Sequence, residues 1–451
     1  MKSKNNKIHL SFAALVLTFT VTPTYADELP EPATNQDYYY DGAPSRNLIN
    51  LGQSLFFDKI MSGNKNISCA TCHNPLLASS DGLSLGVGEG GEGLGRYRTT
   101  GEGSDAVESR IGRHAPQLYN LGAKEFEKLN WNGIHQVDAD LPGGLNLPSG
   151  LTTPNGLNDV LAGQSLFPIV NLNEMLGDTG ENEIVALVTQ DDDRFPRLWN
   201  AYVDRLKAIP EYVSLFMAAF DDVNSEDDIG IQHFGNAVSA FQGFAFRSDN
   251  SAFDQYLRGN TAAMTDKQIS GMELFYGEAG CSTCHSGTFQ TDHDFHGIAI
   301  PQIGPGAEAA FPFEDRGRAE VTGSAEDWAK FRTPSLRNVW ITAPYGHSGA
   351  YGTLRKIVEH HLDPITSLEN YNANQLILPK DEVLDASDLD GYNDATLRQT
   401  IIDANELEPV ELTRAEINDL LEFLRALTDW NVLNQEWMIP DSVPSGLPVR
   451  D

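Results

Sequence analysis

Apolar residues recur at helical spacing in four separate stretches of the chain, and long glycine- and proline-rich connections lie between them. Leu48, Leu51 and Leu55 share one helical face and lead into Phe56 and Phe57. Ile269, Met272 and Leu274 to Tyr276 form a second such face, opened by a T-x-x-Q capping box at Thr265 and Gln268. Ile229 to Phe244 reads as an amphipathic helix. So does the stretch holding Ile417, Leu420, Leu421, Leu424 and Leu427, behind a capping box at Thr413 and Glu416. Two of these stretches echo one another: Gly52-Gln53-Ser54-Leu55-Phe56-Phe57 and Gly271-Met272-Glu273-Leu274-Phe275-Tyr276. The pattern predicts a mainly α protein of two repeated units. The only long apolar run, Leu10 to Val21, follows Lys2, Lys4 and Lys7 and precedes Thr24-Tyr25-Ala26. That is the layout of a secretory signal peptide over residues 1–26, too short and wrongly flanked to span a membrane.

Composition agrees with two cored units: 451 residues, 40 % of them apolar, exclude a disordered chain. The net charge is −33, and −36 once the three lysines of residues 1–26 are removed. Such a surface repels nucleic acid and anionic lipid and favours cationic partners. The glycine-rich stretches 82–104 and 141–157 lack G-K-[ST], so they do not read as phosphate loops. The acid-rich stretch Asp381 to Asp394 has Ala386 where a calcium loop needs its first ligand, and it reads as a solvated loop.

The four cysteines of the chain change the picture most. They fall as Cys69-Ala70-Thr71-Cys72-His73 and Cys281-Ser282-Thr283-Cys284-His285, 212 residues apart. Both are C-x-x-C-H, the signature of covalent c-type haem attachment, in which the thiols bind the porphyrin and the imidazole becomes the proximal iron ligand. Two matches that use every cysteine of an exported chain are a specific signal. A first and a last helix flanking C-x-x-C-H is the plan of a cytochrome c domain. The expected architecture is therefore two cytochrome c-like domains, 27–245 and 246–428, each holding one haem c, with a tail over 429–451. His73 and His285 are the expected proximal ligands.

A longer ordered set of motifs resembles the bacterial di-haem cytochrome c peroxidase family, which includes MauG. It comprises Leu55-Phe56-Phe57-Asp58 before the first haem motif, Trp131-Asn132-Gly133, and Gln164-Ser165-Leu166-Phe167-Pro168 running on to Asn173-Glu174-Met175. It continues with Phe331-Arg332-Thr333-Pro334-Ser335-Leu336-Arg337-Asn338 and Thr342-Ala343-Pro344-Tyr345-Gly346-His347. The resemblance spans roughly residues 45–430. It implies a periplasmic peroxidase that reduces hydrogen peroxide to water at the N-terminal haem, with electrons relayed through the C-terminal haem. The donor would be a small redox protein such as a cytochrome c or a cupredoxin. A MauG-like oxidase acting on a partner protein is the alternative within enzymes, and a di-haem electron carrier or redox sensor the alternative outside them. A homodimer is the assembly the family commonly adopts.

The resemblance also implies roles by position. Glu174 and Gln164 would face the peroxide, the carboxylate shuttling its proton and the amide holding it. Glu174 in an apolar run fits a buried acid of raised pKa. Trp131 matches the Trp between the two haems, and Tyr119 is a weaker aromatic candidate. In Thr353 to His361, helical spacing puts Leu354, Ile357, Val358 and His361 on one face and turns His360 about 100° away. His361 then stands at the sixth-ligand position of the second haem, where relatives carry Met or Tyr, and His360 reads as a surface residue. Two imidazoles would lower that haem's potential relative to His/Met ligation. His347 matches a family His that is not a ligand. The loop Gly86 to Gly91 lacks the His that blocks the first haem in members needing reductive activation, so an open first haem is expected, with His114 and His135 as the residues that could still cap it. The family's calcium would take the carbonyls of Thr342 and Pro344. His114 stands where an Asn ligand is expected, and imidazole suits calcium poorly. His293 and His296 read as loop packing around the second haem.

Overall fold

The fold is that of a computed structural model, which describes residues 29–191, 193–307 and 311–450. The expected signal peptide lies outside the described residues. Ser45 starts the first helix, Arg46–Phe57, by accepting the Leu48 amide at 3.2 Å. Its buried face holds Leu48, Leu51, Leu55, Phe56 and Phe57. It packs on helix Ile231–Ala245, where Phe56 meets Phe241 with ring centres 5.3 Å apart. Gly52 makes that crossing possible, because a methyl group there would overlap the carbonyl oxygen of Ala237.

The second unit repeats the device. Helix Asp266–Phe275 is opened by the capping box, with the Thr265 amide donating to Gln268 at 2.9 Å. It packs on helix Arg414–Ala426, itself capped by Thr413 and Glu416. Gly271 lies against the carbonyl of Asp419, and Phe275 meets Phe423 at 5.1 Å. The echo in the sequence is therefore a repeated helix crossing, with glycine at the closest approach in both.

One hydrophobic core forms around the first crossing and one around the second, with a smaller cluster at Ala299, Ala329, Leu368 and Ile401. The chain beyond Asp429 returns to the first core, which takes in Val432, Met438 and Val443. There the Ser445 hydroxyl donates to Asp58 at 2.6 Å, as does the Tyr212 hydroxyl at 2.7 Å. The few strands are short. Lys128–Leu129, His135–Val137 and Leu145–Asn146 form one antiparallel sheet, and Phe295–His296 pairs with Phe331–Arg332.

The acid-rich stretch 381–394 is solvated only in part. Arg110, almost fully buried, donates to Asp388 at 2.9 Å and to Asp385 at 2.7 Å. A cation sent from the first unit across the seam requires counter-charges, and this stretch supplies them. Acid density alone could not reveal that role, since the partner lies more than 270 residues away.

Candidate active site

Each C-x-x-C-H motif sits on a short helical turn, Cys69–Cys72 and Cys281–Thr283. The four cysteines are half-buried and form no disulfide. The two histidines are held alike. His73 donates its Nδ1 hydrogen to the Ser79 carbonyl at 3.0 Å, and His285 donates to Gln290 at 3.2 Å. A carbonyl only accepts, so in each ring Nδ1 carries the hydrogen and Nε2 keeps the lone pair for a metal. Burial lowers both imidazole pKa values, that of His285 to about 4, which keeps the rings in the neutral, ligating form.

Across from His285 stands His361, on helix Leu354–Leu362, with the ring centres 6.3 Å apart. Two imidazoles on one metal, each bonded at about 2 Å, put their ring centres about 6 Å apart. His361 is itself oriented by a contact of 2.8 Å between Nδ1 and the Ile357 carbonyl. This spacing, with the two prepared motifs, fits the residues to a pair of haem c groups.

His360 is not a surface residue. It is fully buried, with Nε2 donating to the Ile298 carbonyl at 2.6 Å and Nδ1 accepting the Tyr351 hydroxyl at 2.8 Å. The helix is covered on two sides, so the 100° turn away from His361 leads into a second packed face rather than into solvent.

Around the first motif, Asp81, Arg98 and Glu174 all act electrostatically on the Cys72 thiol. Glu174 lies in a single π-helical turn, Leu172–Leu176, a form often found at functional sites. Asn171 caps this turn and donates to Glu174 Oε1 at 3.1 Å. The Glu174 carboxyl is pushed up to about 7 by burial. The glycine-rich loop covers this turn: a methyl group on Gly88 would overlap the Asn173 carbonyl. Arg98 ties the loop down by donating to the carbonyls of Val87, Gly88 and Gly93. Gln164 ends helix Val160–Gln164 and donates through Nε2 to Asn130 Oδ1 at 2.9 Å. The same oxygen accepts His135 Nδ1 at 3.2 Å, and the His135 ring packs on Phe167. Asn130 thus fixes Gln164, a role that sequence reading missed although Asn130 adjoins the Trp131 motif. Asp81 was missed as well. Its carboxyl is buried and pushed up to about 7, and its Oδ2 has no hydrogen-bond partner among the described residues.

Trp131 sits on the seam between the units. Its indole donates to the His114 carbonyl at 2.9 Å, and its own carbonyl accepts the Arg332 amide at 2.8 Å. The His114 amide in turn donates to the His347 carbonyl at 2.7 Å. His347 is buried and stacked on Phe331 at 3.6 Å. Tyr119 is buried against Phe246, away from these contacts. His114 engages the Leu83 carbonyl through Nδ1 at 2.8 Å, and Thr342 and Pro344 are buried nearby in sequence to His347. A nitrogen donor committed to a carbonyl does not fit a calcium ligand set. His293 pairs with Glu125, and His296 with Asp292 and Glu406, each at 3.0 Å.

Fold and site together define a two-domain, mainly helical c-type cytochrome whose two haem positions have different surroundings. Residues 46–262 match the family model described as di-haem cytochrome c peroxidase. The methylamine utilization protein MauG of Methylorubrum extorquens is 32 % identical over 314 residues, which cover 70 % of this chain and 68 % of that one. The cytochrome c551 peroxidase of Pseudomonas aeruginosa is 27 % identical, over 77 % of this chain and 84 % of that one. Among solved structures, a MauG-like protein associated with microbial copper homeostasis aligns with a TM-score of 0.57 at 25 % identity, covering 92 % and 96 % of the two chains. The di-haem peroxidase BthA of Burkholderia thailandensis shares the fold, with a TM-score of 0.55 at 19 % identity and 91 % of each chain covered. The chain belongs to the di-haem cytochrome c peroxidase family and is an oxidoreductase of that family.

Proposed function

We propose that the protein is an exported, periplasmic peroxidase that reduces hydrogen peroxide to water at the haem held by Cys69, Cys72 and His73. When bound, that haem supplies the iron at which the O–O bond breaks and through which two electrons are delivered. The Glu174 carboxylate takes the proton from the near oxygen of peroxide and returns it to the far one. Gln164, its amide held by Asn130, orients the peroxide. Trp131 bridges the two halves, and His285 and His361 would hold the second haem. The electrons come from a small, basic redox protein drawn to the acidic surface. No helix among the described residues is long and apolar enough to cross a membrane.

The observation that carries this reading is Glu174: a carboxyl with a pKa near neutrality, in the field of the first haem motif, under a loop that holds no histidine. Electron paramagnetic resonance of the oxidised holoprotein tests it. One high-spin and one low-spin signal, with peroxide turnover lost in Glu174→Ala, is the expected result. Two low-spin signals with no peroxide turnover in either protein would leave a carrier or sensor. A second reading, oxidation of residues on a partner protein, is favoured by the imidazole at position 361 in place of Met. Slow turnover with cytochrome c beside rapid reaction with peroxide would select it.

A further inference from the structure

The buried arginines of this chain are answered by acids, with one exception. Arg110 pairs with Asp388, Arg337 pairs with Asp254, and Arg98 lies in the field of Asp81. Arg332 is buried too, yet no carboxylate among the described residues pairs with it. Its Nε donates to the Asn130 carbonyl and its Nη1 to the Thr333 carbonyl, both at 3.2 Å. Nη2 donates to nothing among the described residues. Burial pushes the pKa of this side chain down to about 10. A cation in that position is costly unless an anion meets it.

A repeat in the chain says where that anion comes from. Arg113-His114-Ala115-Pro116-Gln117-Leu118-Tyr119-Asn120 and Phe331-Arg332-Thr333-Pro334-Ser335-Leu336-Arg337-Asn338 keep Pro, Leu and Asn in register. Both asparagines take a left-handed backbone, with φ of 63° and 62°. Both donate through Nδ2 to Ser248 at 2.8 Å, Asn120 to its carbonyl and Asn338 to its hydroxyl. The Pro116 carbonyl lies against His73, and the Pro334 carbonyl lies against His285. Arg332 therefore stands beside the second haem position as His114 stands beside the first. The two differ in what answers them. His114 engages the Leu83 carbonyl, and burial keeps its ring neutral. Arg332 keeps a charge and an unused donor. Its amide meets the Trp131 carbonyl at 2.8 Å, so this charge lies at the seam.

We propose that Arg332 holds a carboxylate of the haem attached at Cys281 and Cys284, beside Trp131 at the seam. A haem carries propionate carboxylates, and a guanidinium is shaped to take such a group. The pairing ties the second haem to the main chain of Asn130 and Trp131, which belong to the first unit. It also sets a positive charge beside the second haem and a neutral imidazole at the matching place beside the first. Positive charge near an iron favours its reduced form, so Arg332 works against the lowering of potential that two imidazole ligands cause. The proposal needs a haem at the second motif and nothing of the peroxide chemistry, so it stands or falls apart from the peroxidase reading.

The test is a spectroelectrochemical titration of both haems in the holoprotein, for wild type, Arg332→Gln and Arg332→Lys. The expected result is a fall in the midpoint potential of the second haem in Arg332→Gln, recovered in Arg332→Lys, with the first haem unmoved. Electron paramagnetic resonance of the oxidised variants should keep the low-spin signal of the second haem, since His285 and His361 are untouched. Arg332→Met, of similar length, repeats the measurement should the Gln variant fail to fold. A fall as large or larger at the first haem would give the carboxylate to that haem. Potentials unmoved at both haems would mean that another anion answers the arginine. An equal fall in the Gln and Lys variants, or a lost low-spin signal, would make Arg332 a packing residue. Each of these three results overturns the proposal.

Discussion

Glu174 carries the sharpest pH signature among the proposed catalytic residues. Burial raises its pKa from the usual carboxylate range to about 7, so it is the base form that is scarce below neutrality. Peroxide consumption should therefore rise with pH through about 7 if Glu174 takes the proton. Glu174→Gln should flatten that profile and slow the reaction about 100-fold or more. Stability should move the opposite way. A folded-state pKa raised above its ordinary value stabilises the protein most where the acid is neutral, and that contribution is lost as pH climbs through about 7. Denaturation of wild type and Glu174→Gln at pH 5 and pH 8 checks this, with the variant gaining on wild type at the higher pH. At this scale the two C-x-x-C-H motifs were legible at once, because their spacing names the side chains that would hold a haem. His360 was not legible. Its partners Tyr351 and Ile298 both lie outside its helix, and a helical projection knows only the residues of its own helix. Asn130 escaped for the same reason, since its hold on Gln164 is a contact across 34 residues of chain.

The paired helix crossings are the elements that the sequence displayed best. Apolar spacing placed all four helices, and both capping boxes formed as read, with Ile231–Ala245 starting two residues later than expected because Gly230 is extended. What spacing could not show was that Gly52 and Gly271 are the points of closest approach. Gly52→Ala and Gly271→Ala should each cost about 1–3 kcal/mol, the usual penalty for overpacking a tight contact. Chemical denaturation of the two variants measures it, with Gly52→Ala loosening the first core and Gly271→Ala the second. The acid-rich stretch was half legible at this scale, since its charge suggested solvent, which reaches half of it, while two of its acids face a buried arginine. Arg110→Ala should destabilise the protein by about 3–5 kcal/mol, as removal of one member of a buried ion pair does, and a fall in the denaturant midpoint would show it. A double variant that also replaces Asp388 by Asn should recover part of that loss.

Across the whole molecule, the seam and the returning tail decide how the two units act together. Main-chain hydrogen bonds from Arg332 to Trp131 and from His114 to His347 join the units, beside the side-chain ion pairs of Arg110 and Arg113. Repetition in the sequence announced two units, but nothing in it announced that the second unit's exit segment belongs to the first unit's core. Val432, Met438 and Val443 fill that core, and Ser445 closes on Asp58 beside Tyr212. The order of manufacture follows from this. The domain made earlier is the one finished later, because its interior waits for residues that follow the whole second unit. A chain nicked or shortened beyond Asp429 would betray itself at the far end of the sequence, in the half that holds the first haem motif, while the half it was cut from stood intact.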